Sequence, residues 1–180
     1  MTGVQIVRRD SAAEIPWRNG GGTTREYCKV GGDDFDWRLS VAQIAQPGPF
    51  SAFPGVDRIL VLLSGDGVSL QFGTGETITL DGPLQLVRFA GETAVQATPL
   101  GGPSTDLNLM WRRDRFTATV AVVEAPVQPG GEGTHVVYVV SGTLRVEGEE
   151  LIAGDAAHWH GTLPAAEGDA TLVCFTLLQR

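Results

Sequence analysis

The sequence has little lysine, cysteine or histidine, and each scarcity limits the kinds of functional site that are expected. Lys29 is the sole lysine, so the basic side chains are almost all arginine, the better residue for planar, bidentate recognition of a carboxylate. Cys28 and Cys174 are the only cysteines, and both lie in apolar-rich runs, where buried thiols are expected rather than a disulfide or a nucleophile. No run of 18 apolar residues occurs, so no transmembrane helix is predicted.

Charge and hydropathy set further limits. The net charge of −8 and the isoelectric point of about 4.8 argue against nucleic acid or an anionic membrane as a partner. A mean hydropathy of +0.03 with 42% hydrophobic residues is typical of a globular protein. The first residues lack the basic-then-apolar layout of a secretory signal, so a cytoplasmic location is expected.

Turn-forming residues and short apolar runs predict an all-β chain. The 24 glycines and 10 prolines are scattered along the sequence and leave little room for helices. Alternating or continuous apolar patterns and one β-branched run predict strands within residues 37–42, 58–63, 68–72, 117–123, 136–140 and 171–175. Residues 104–115 fit a helical face and a strand equally well, and a strand is favoured.

The chain repeats part of itself. Residues 61–65 are echoed by residues 138–142, and residues 89–92 are echoed by residues 152–155. This layout of strands and glycine turns resembles the cupin superfamily. The resemblance implies two jelly-roll type β-barrels from an internal duplication, packed as one compact bicupin. The expected halves are residues 1–113 and 114–180, with strand exchange between them.

The histidines bear on whether a metal is bound. Many cupins hold a divalent metal with histidines and a glutamate, but the first half of this chain has no histidine. The second half has His135, His158 and His160, and the last two would share one face of a strand. The His-x-His pattern expected before the strand is absent, so rim or surface histidines around Trp159 are the favoured interpretation. No metal and no other cofactor is predicted.

The N-terminal third holds the unusual polar chemistry. Residues 16–26 combine two arginines, an amide, hydroxyls and the triple glycine Gly20–Gly22, which permits close backbone approach or an anion-binding nest. A phosphate-binding P-loop is excluded because the lysine and the spacing are missing. Together with two later blocks, this region supplies the candidate ligand-binding residues Arg18, Asn19, Thr24, Arg25, Glu26, Arg38, Ser40, Phe50, Ser51, Phe53, Asp57 and Arg58. For Arg38 and Arg58, a structural ion pair with Glu26 or Asp57 is an equal alternative.

Four blocks carry a more specific resemblance. The HutD/Ves family is similar to this chain in the residue identities, order and spacing of four blocks, residues 16–26, 35–42, 48–58 and 106–113. The resemblance implies a bicupin without established catalytic activity. HutD-type members are linked to bacterial histidine utilisation as modulators that bind an intermediate such as urocanate or N-formylglutamate, and Ves-type members are described as stress- or cold-inducible. The sequence does not assign the chain to one branch.

The expected function is therefore non-catalytic binding of a small carboxylate metabolite, with no catalytic residue assigned. The alternatives are a Ves-type stress-response protein or an enzyme. An enzyme would use a metal held by the C-terminal histidines, or would be a metal-free isomerase relying on Glu26 or Asp57. A homodimer, since cupin-type proteins often pair through their sheets, is a further alternative.

Overall fold

The computed structural model describes residues 3–127, 131–162 and 166–180, and within them the chain is almost entirely β-structure. One 3-10 turn at Arg9–Ser11 is the sole helical segment of these ranges. The strands are β1 (Gln5–Val7), β2 (Glu14–Pro16), β3 (Gly22–Val30), β4 (Trp37–Ile44), β5 (Gly48–Pro49), β6 (Val56–Ser64), β7 (Val68–Phe72), β8 (Thr77–Leu80), β9 (Leu86–Ala90), β10 (Val95–Pro99), β11 (Ser104–Arg112), β12 (Phe116–Glu124), β13 (Thr134–Val146), β14 (Glu149–Ile152), β15 (Ala156–His160) and β16 (Glu167–Gln179). The all-β prediction is confirmed, and the ambiguous segment after residue 104 is a strand.

The chain divides into two units. The N-terminal unit is Ala13–Asp114, and the C-terminal unit combines Arg115–Arg180 with the chain up to Ala12. The sequence analysis placed residues 1–113 together in the first half. The structure instead assigns the first strand to the other unit, because β1 pairs antiparallel with β15, with Ile6 opposite Ala157.

Two antiparallel sheets build the N-terminal unit. One has six strands in the order β2-β3-β4-β11-β6-β9, and the other has four in the order β5-β10-β7-β8. Apolar side chains from both sheets, including Leu60, Leu62, Leu70 and Ala97, form one buried cluster. The cluster follows from the alternation along these strands, which directs every second side chain to the same face.

The C-terminal unit contains a six-stranded sheet in which β1-β15-β13-β16-β12 follow in order and β14 pairs with β13. A buried cluster that includes Val139, Leu144 and Leu172 fills it. Asp155 secures the first strand, since its carboxylate accepts hydrogen bonds from the backbone amide of Arg9 at 3.0 Å and from the Arg8 guanidinium at 3.0 Å.

The duplicated glycines occupy equivalent backbone positions in the two units. Gly65 has φ of +100° and Gly142 has φ of +78°, a region that glycine enters without strain. A Cβ at Gly65 would collide with the carbonyl oxygen of Pro103, and one at Gly142 would collide with that of Asp169. Gly65 follows the end of β6 and Gly142 lies within β13, so the echoed sequence marks in each unit a glycine of positive φ packed against a neighbouring backbone.

Gly22, the last residue of the triple glycine, begins β3 in tight contact with β4. A Cβ at this position would overlap the carbonyl oxygen of Gln43 and would press on the Trp17 ring. We expect Gly22→Ala to lower the free energy of unfolding by about 1–3 kcal/mol, because the two backbones must separate. Denaturant unfolding measures the loss. Gly102→Ala is the matched control, since no atom lies within 4 Å of its Cβ position. Equal stability of the two variants would contradict the packing role of Gly22.

No helix in the described ranges is long and apolar enough to span a membrane.

Candidate functional site

A cavity of about 600 Å³ opens in the N-terminal unit. Its walls come from the β2–β3 turn, the segment around β5, and strands β3, β4, β6 and β11. The lining residues are Pro16, Trp17, Arg18, Asn19, Thr24, Arg38, Ser40, Ala42, Pro49, Phe50, Ser51, Phe53, Arg58, Asn108 and Met110. Arginine supplies every ionisable side chain of this lining.

Strand register sets the inner end of the cavity. Met110 lies opposite Arg38 of β4 on one side and opposite Arg58 of β6 on the other, and Asn108 lies opposite Ser40. Residues directly opposite in antiparallel strands project to the same face. Two arginines, an amide and a hydroxyl are thereby aligned on one face of the sheet and point into the cavity.

Arg58 is the most constrained of these groups. It is 7% exposed, and its guanidinium carbon lies 4.9 Å from the centroid of the Phe50 ring and 5.0 Å from that of Phe89. Its Nη2 donates to Oδ1 of Asn108 at 3.0 Å, whereas its Nε is buried without an acceptor among the described residues. Burial, and then the positive charge of Arg38, lower the pKa of Arg58 to about 10.

Arg38 is held by a carboxylate. Its Nε donates to Glu26 at 2.7 Å, and both side chains are partly buried. Glu26 lies opposite Ser40, just before the register of β3 shifts. The inner end therefore contains two guanidinium groups and one carboxylate, an excess of one positive charge.

The outer end is formed by the turn between β2 and β3. The indole Nε1 of Trp17 donates to the Thr24 hydroxyl at 2.7 Å, which fixes the turn on β3. Asn19 accepts a hydrogen bond from the Gly21 amide at 3.0 Å through its side-chain oxygen, so its NH₂ group remains available. Arg18 is exposed at the tip of this turn and has no ion pair among the described residues.

Most of the predicted ligand-binding residues gather at this cavity. Nine of them line it: Arg18, Asn19, Thr24, Arg38, Ser40, Phe50, Ser51, Phe53 and Arg58. Three do not line it: Glu26 bonds Arg38, Arg25 pairs with Glu14 at 2.6 Å, and Asp57 pairs with Arg113 at 2.9 Å. The alternative of structural ion pairs therefore holds for Arg38 but not for Arg58, which has no carboxylate partner among the described residues.

Sequence reasoning missed Asn108 and Met110. Both belong to a block that the sequence analysis quoted, but the ambiguity of residues 104–115 left open which of their side chains shared a face. As a strand, residues 106, 108 and 110 project together, and their alternation with Leu107 and Leu109 was the available signal.

Asp106 continues the same face beyond Asn108, but it does not line the cavity. It is fully buried, its Oδ2 accepts a hydrogen bond from the Ser104 hydroxyl at 2.8 Å, and its Oδ1 has no partner among the described residues. Burial raises the pKa of Asp106 to about 7, against the opposing effect of the Ser104 hydrogen bond. The side chain is a buried carboxyl group close to its protonation midpoint at neutral pH.

The three histidines lie on two faces of the C-terminal sheet. His135 is opposite Trp159 and stacks on its ring, with a centroid separation of 5.6 Å, whereas His158 is opposite Val136 on the other face. His135 Nδ1 is 3.1 Å from the Thr176 hydroxyl. Within the described ranges, no group of three histidine, cysteine or acidic side chains is placed to hold a metal ion. The described strands therefore do not bring His135 to the same face as the other two histidines considered from the sequence.

Comparisons with known proteins agree with this architecture. A family model described as HutD matches residues 9–174. The chain is 44% identical over 147 residues to Protein Ves of Citrobacter koseri, covering 80% of this chain and 76% of the relative. It is 38% identical over 121 residues to an uncharacterised 21.2 kDa protein in the hutC 3′ region of Pseudomonas putida, covering 66% and 63% of the two chains.

A solved structure, HutD from Pseudomonas fluorescens SBW25, superposes with a TM-score of 0.89. It is 30% identical to this chain, and the match covers 99% of this chain and all of that one. The predicted cupin-like, all-β architecture is confirmed by this likeness together with the described strands.

Proposed function

Because the chain belongs to the HutD family, we propose that its N-terminal unit binds a small carboxylate metabolite and performs no chemistry on it. The observation that carries the proposal is the buried Nε of Arg58, a charged donor without an acceptor among the described residues. A buried guanidinium is unfavourable unless its donors are satisfied, and a carboxylate satisfies them with charge-assisted hydrogen bonds.

The surroundings of Arg58 favour an anion over a neutral ligand. Phe50 and Phe89 stack on each other with ring centroids 6.5 Å apart, and both pack against the guanidinium, so this side offers it no hydrogen-bond acceptor. Ser40 and Asn108 line the same end and add neutral polar groups. Arg38 and Glu26 neutralise each other, so the excess positive charge is that of Arg58. One carboxylate would neutralise it.

The lining also explains why binding rather than catalysis is proposed. General acid–base catalysis needs a group that gains or loses a proton near the operating pH. The described lining holds no carboxyl, imidazole, thiol or phenol group, and its arginines stay protonated. Glu26, considered from the sequence as a catalytic acid or base, is committed to Arg38, and Asp57 is committed to Arg113.

Within this class we favour urocanate or N-formylglutamate as the ligand and a modulating role in histidine utilisation. The support is the name of the family and the Pseudomonas putida relative in a hutC 3′ region. Both compounds carry a carboxylate, and the cavity volume of about 600 Å³ accommodates either of them.

Thermal unfolding in the presence of carboxylates tests the proposal. A ligand at about 100 times its dissociation constant should stabilise the protein by about 2.7 kcal/mol, which raises the melting temperature by several degrees. Acetate, urocanate and N-formylglutamate are compared with acetamide, a neutral control of acetate's size. If no carboxylate at millimolar concentration raises the melting temperature, or if acetamide matches acetate, the proposal is wrong.

A further inference from the structure

We infer that the cavity takes a ligand with two anionic groups, one held by Arg58 at the inner end and the other by Arg18 at the mouth. This inference rests on the proposed function and narrows its ligand class, since N-formylglutamate carries two carboxylates whereas urocanate carries one. The cavity has more positive than negative groups. Three guanidinium groups line the cavity, and one carboxylate, Glu26, pairs with one of them.

The charges at the inner end match one anionic group. Arg38 is compensated by Glu26 at 2.7 Å, which leaves the charge of Arg58 for the ligand. A second carboxylate at the same end would meet the first and Glu26 at short range. Like charges in a poorly solvated site repel strongly. The second anionic group of a bound dianion must therefore lie elsewhere.

The outer end offers a second cation on a braced turn. Arg18 projects from the β2–β3 turn, which is braced by the Trp17–Thr24 hydrogen bond and by the close approach of Gly22 to β4. The neighbouring NH₂ group of Asn19 is an additional donor, since the oxygen of that side chain is already bonded to the Gly21 amide. Arg18 and Asn19 together provide the donors that a second carboxylate needs.

Between the two ends the cavity wall is largely apolar. Phe50 and Phe53 line it, and Met110 at the inner end and Trp17 at the outer end add further apolar surface. A single carboxylate would fill only a small part of about 600 Å³, given that a water molecule accounts for about 30 Å³ of liquid volume. A short carbon spacer suits this lining, because burying methylene groups there is favourable. The ligand class is thus a dicarboxylate with a short apolar spacer.

Isothermal titration calorimetry with matched acids tests the inference at constant ionic strength. The probes are the linear dicarboxylates from malonate to adipate, each compared with the monocarboxylate of the same carbon number. We expect one dicarboxylate to bind at least tenfold more tightly than its monocarboxylate partner. In Arg18→Gln this advantage should fall to twofold or less.

The control variant is Arg145→Gln, which removes an equal charge from an exposed side chain of the C-terminal unit that pairs with Glu150. It should retain the dicarboxylate advantage. Monocarboxylates binding as tightly as dicarboxylates would overturn the inference and leave the proposed function standing. A dicarboxylate advantage that survives in Arg18→Gln would likewise overturn the inference and leave the proposed function standing. No binding by any carboxylate would overturn the proposed function itself.

Discussion

Replacing Arg58 with methionine should weaken carboxylate binding by about 100-fold or more while changing the free energy of unfolding by less than about 2 kcal/mol. The loss of binding follows because the variant lacks the buried cation that a carboxylate would neutralise. Stability is expected to change little, because the guanidinium is 7% exposed and lacks a carboxylate partner in the described structure. Methionine fills a similar volume against Phe50 and Phe89.

Opposing terms keep the stability change small. Removing Arg58 abolishes the cost of burying a charge, but it also leaves Oδ1 of Asn108 without its donor. Truncation to alanine would instead leave a cavity beside the two rings and would obscure the comparison. Calorimetric titration with the tightest carboxylate and denaturant unfolding of the free protein measure the two quantities.

Glu26→Gln should have the opposite effect on carboxylate binding. It removes the carboxylate that engages Arg38 at 2.7 Å and raises the positive charge at the inner end. We expect carboxylates to bind this variant several-fold more tightly than wild type. Wild-type affinity in Arg58→Met, or weaker binding in Glu26→Gln, would contradict the placement of the anion at this end of the cavity.

Asp106→Asn should stabilise the protein increasingly as the pH rises, by about 1 kcal/mol at pH 5 and by up to about 4 kcal/mol at pH 8. The pKa of Asp106 is about 7 in the folded protein, against an ordinary value of about 3.9. In the unfolded chain the proton leaves near pH 4, but in the folded protein it stays until about pH 7. Between these values, each pH unit costs the folded state about 1.4 kcal/mol.

The contribution of Asp106 to the free energy of unfolding changes with pH in the opposite direction to that of an ion-paired carboxylate. The contribution of Asp106 to stability is greatest below about pH 4, falls as the pH rises to about 7, and is constant above. Asparagine carries no titratable proton, and its amide can donate to the Ser104 hydroxyl. Denaturant unfolding of both proteins from pH 5 to pH 8 gives the difference. Asp114→Asn, an exposed site in the same unit, is the control and should show little change. A pH-independent difference for Asp106→Asn would contradict the prediction.

The sequence predicted those features that depend on local patterns. Alternation along residues 37–42 and 68–72 predicted β4 and β7, and the echo of residues 61–65 in residues 138–142 located two glycines of positive φ. Arg38 and Ser40 were predicted to share a face, and the register of β4 against β11 places both on the cavity side. These features follow from the period of a strand and from the backbone freedom of glycine.

The remaining features depend on contacts between distant segments. The position of Phe89 over Arg58 requires the pairing of β6 with β9, and the acceptor role of Asn108 requires the pairing of β6 with β11. The ion pair of Asp57 with Arg113 likewise joins residues far apart in sequence. Composition and spacing do not specify such register, so the sequence identified most of the polar residues without showing that Glu26 pairs with Arg38 and leaves Arg58 without a carboxylate among the described residues.

The pairing of β1 with β15 has a consequence for how the chain acquires its structure during synthesis. β1 is made first, yet its partner emerges after about 150 further residues, whereas every strand of the N-terminal unit pairs within Ala13–Asp114. Closing so long a loop is slow compared with forming local pairs. The N-terminal unit can therefore complete its sheets while the ribosome is still producing the rest, and the segment that contains β1 must wait, unpaired, for the final third of the chain.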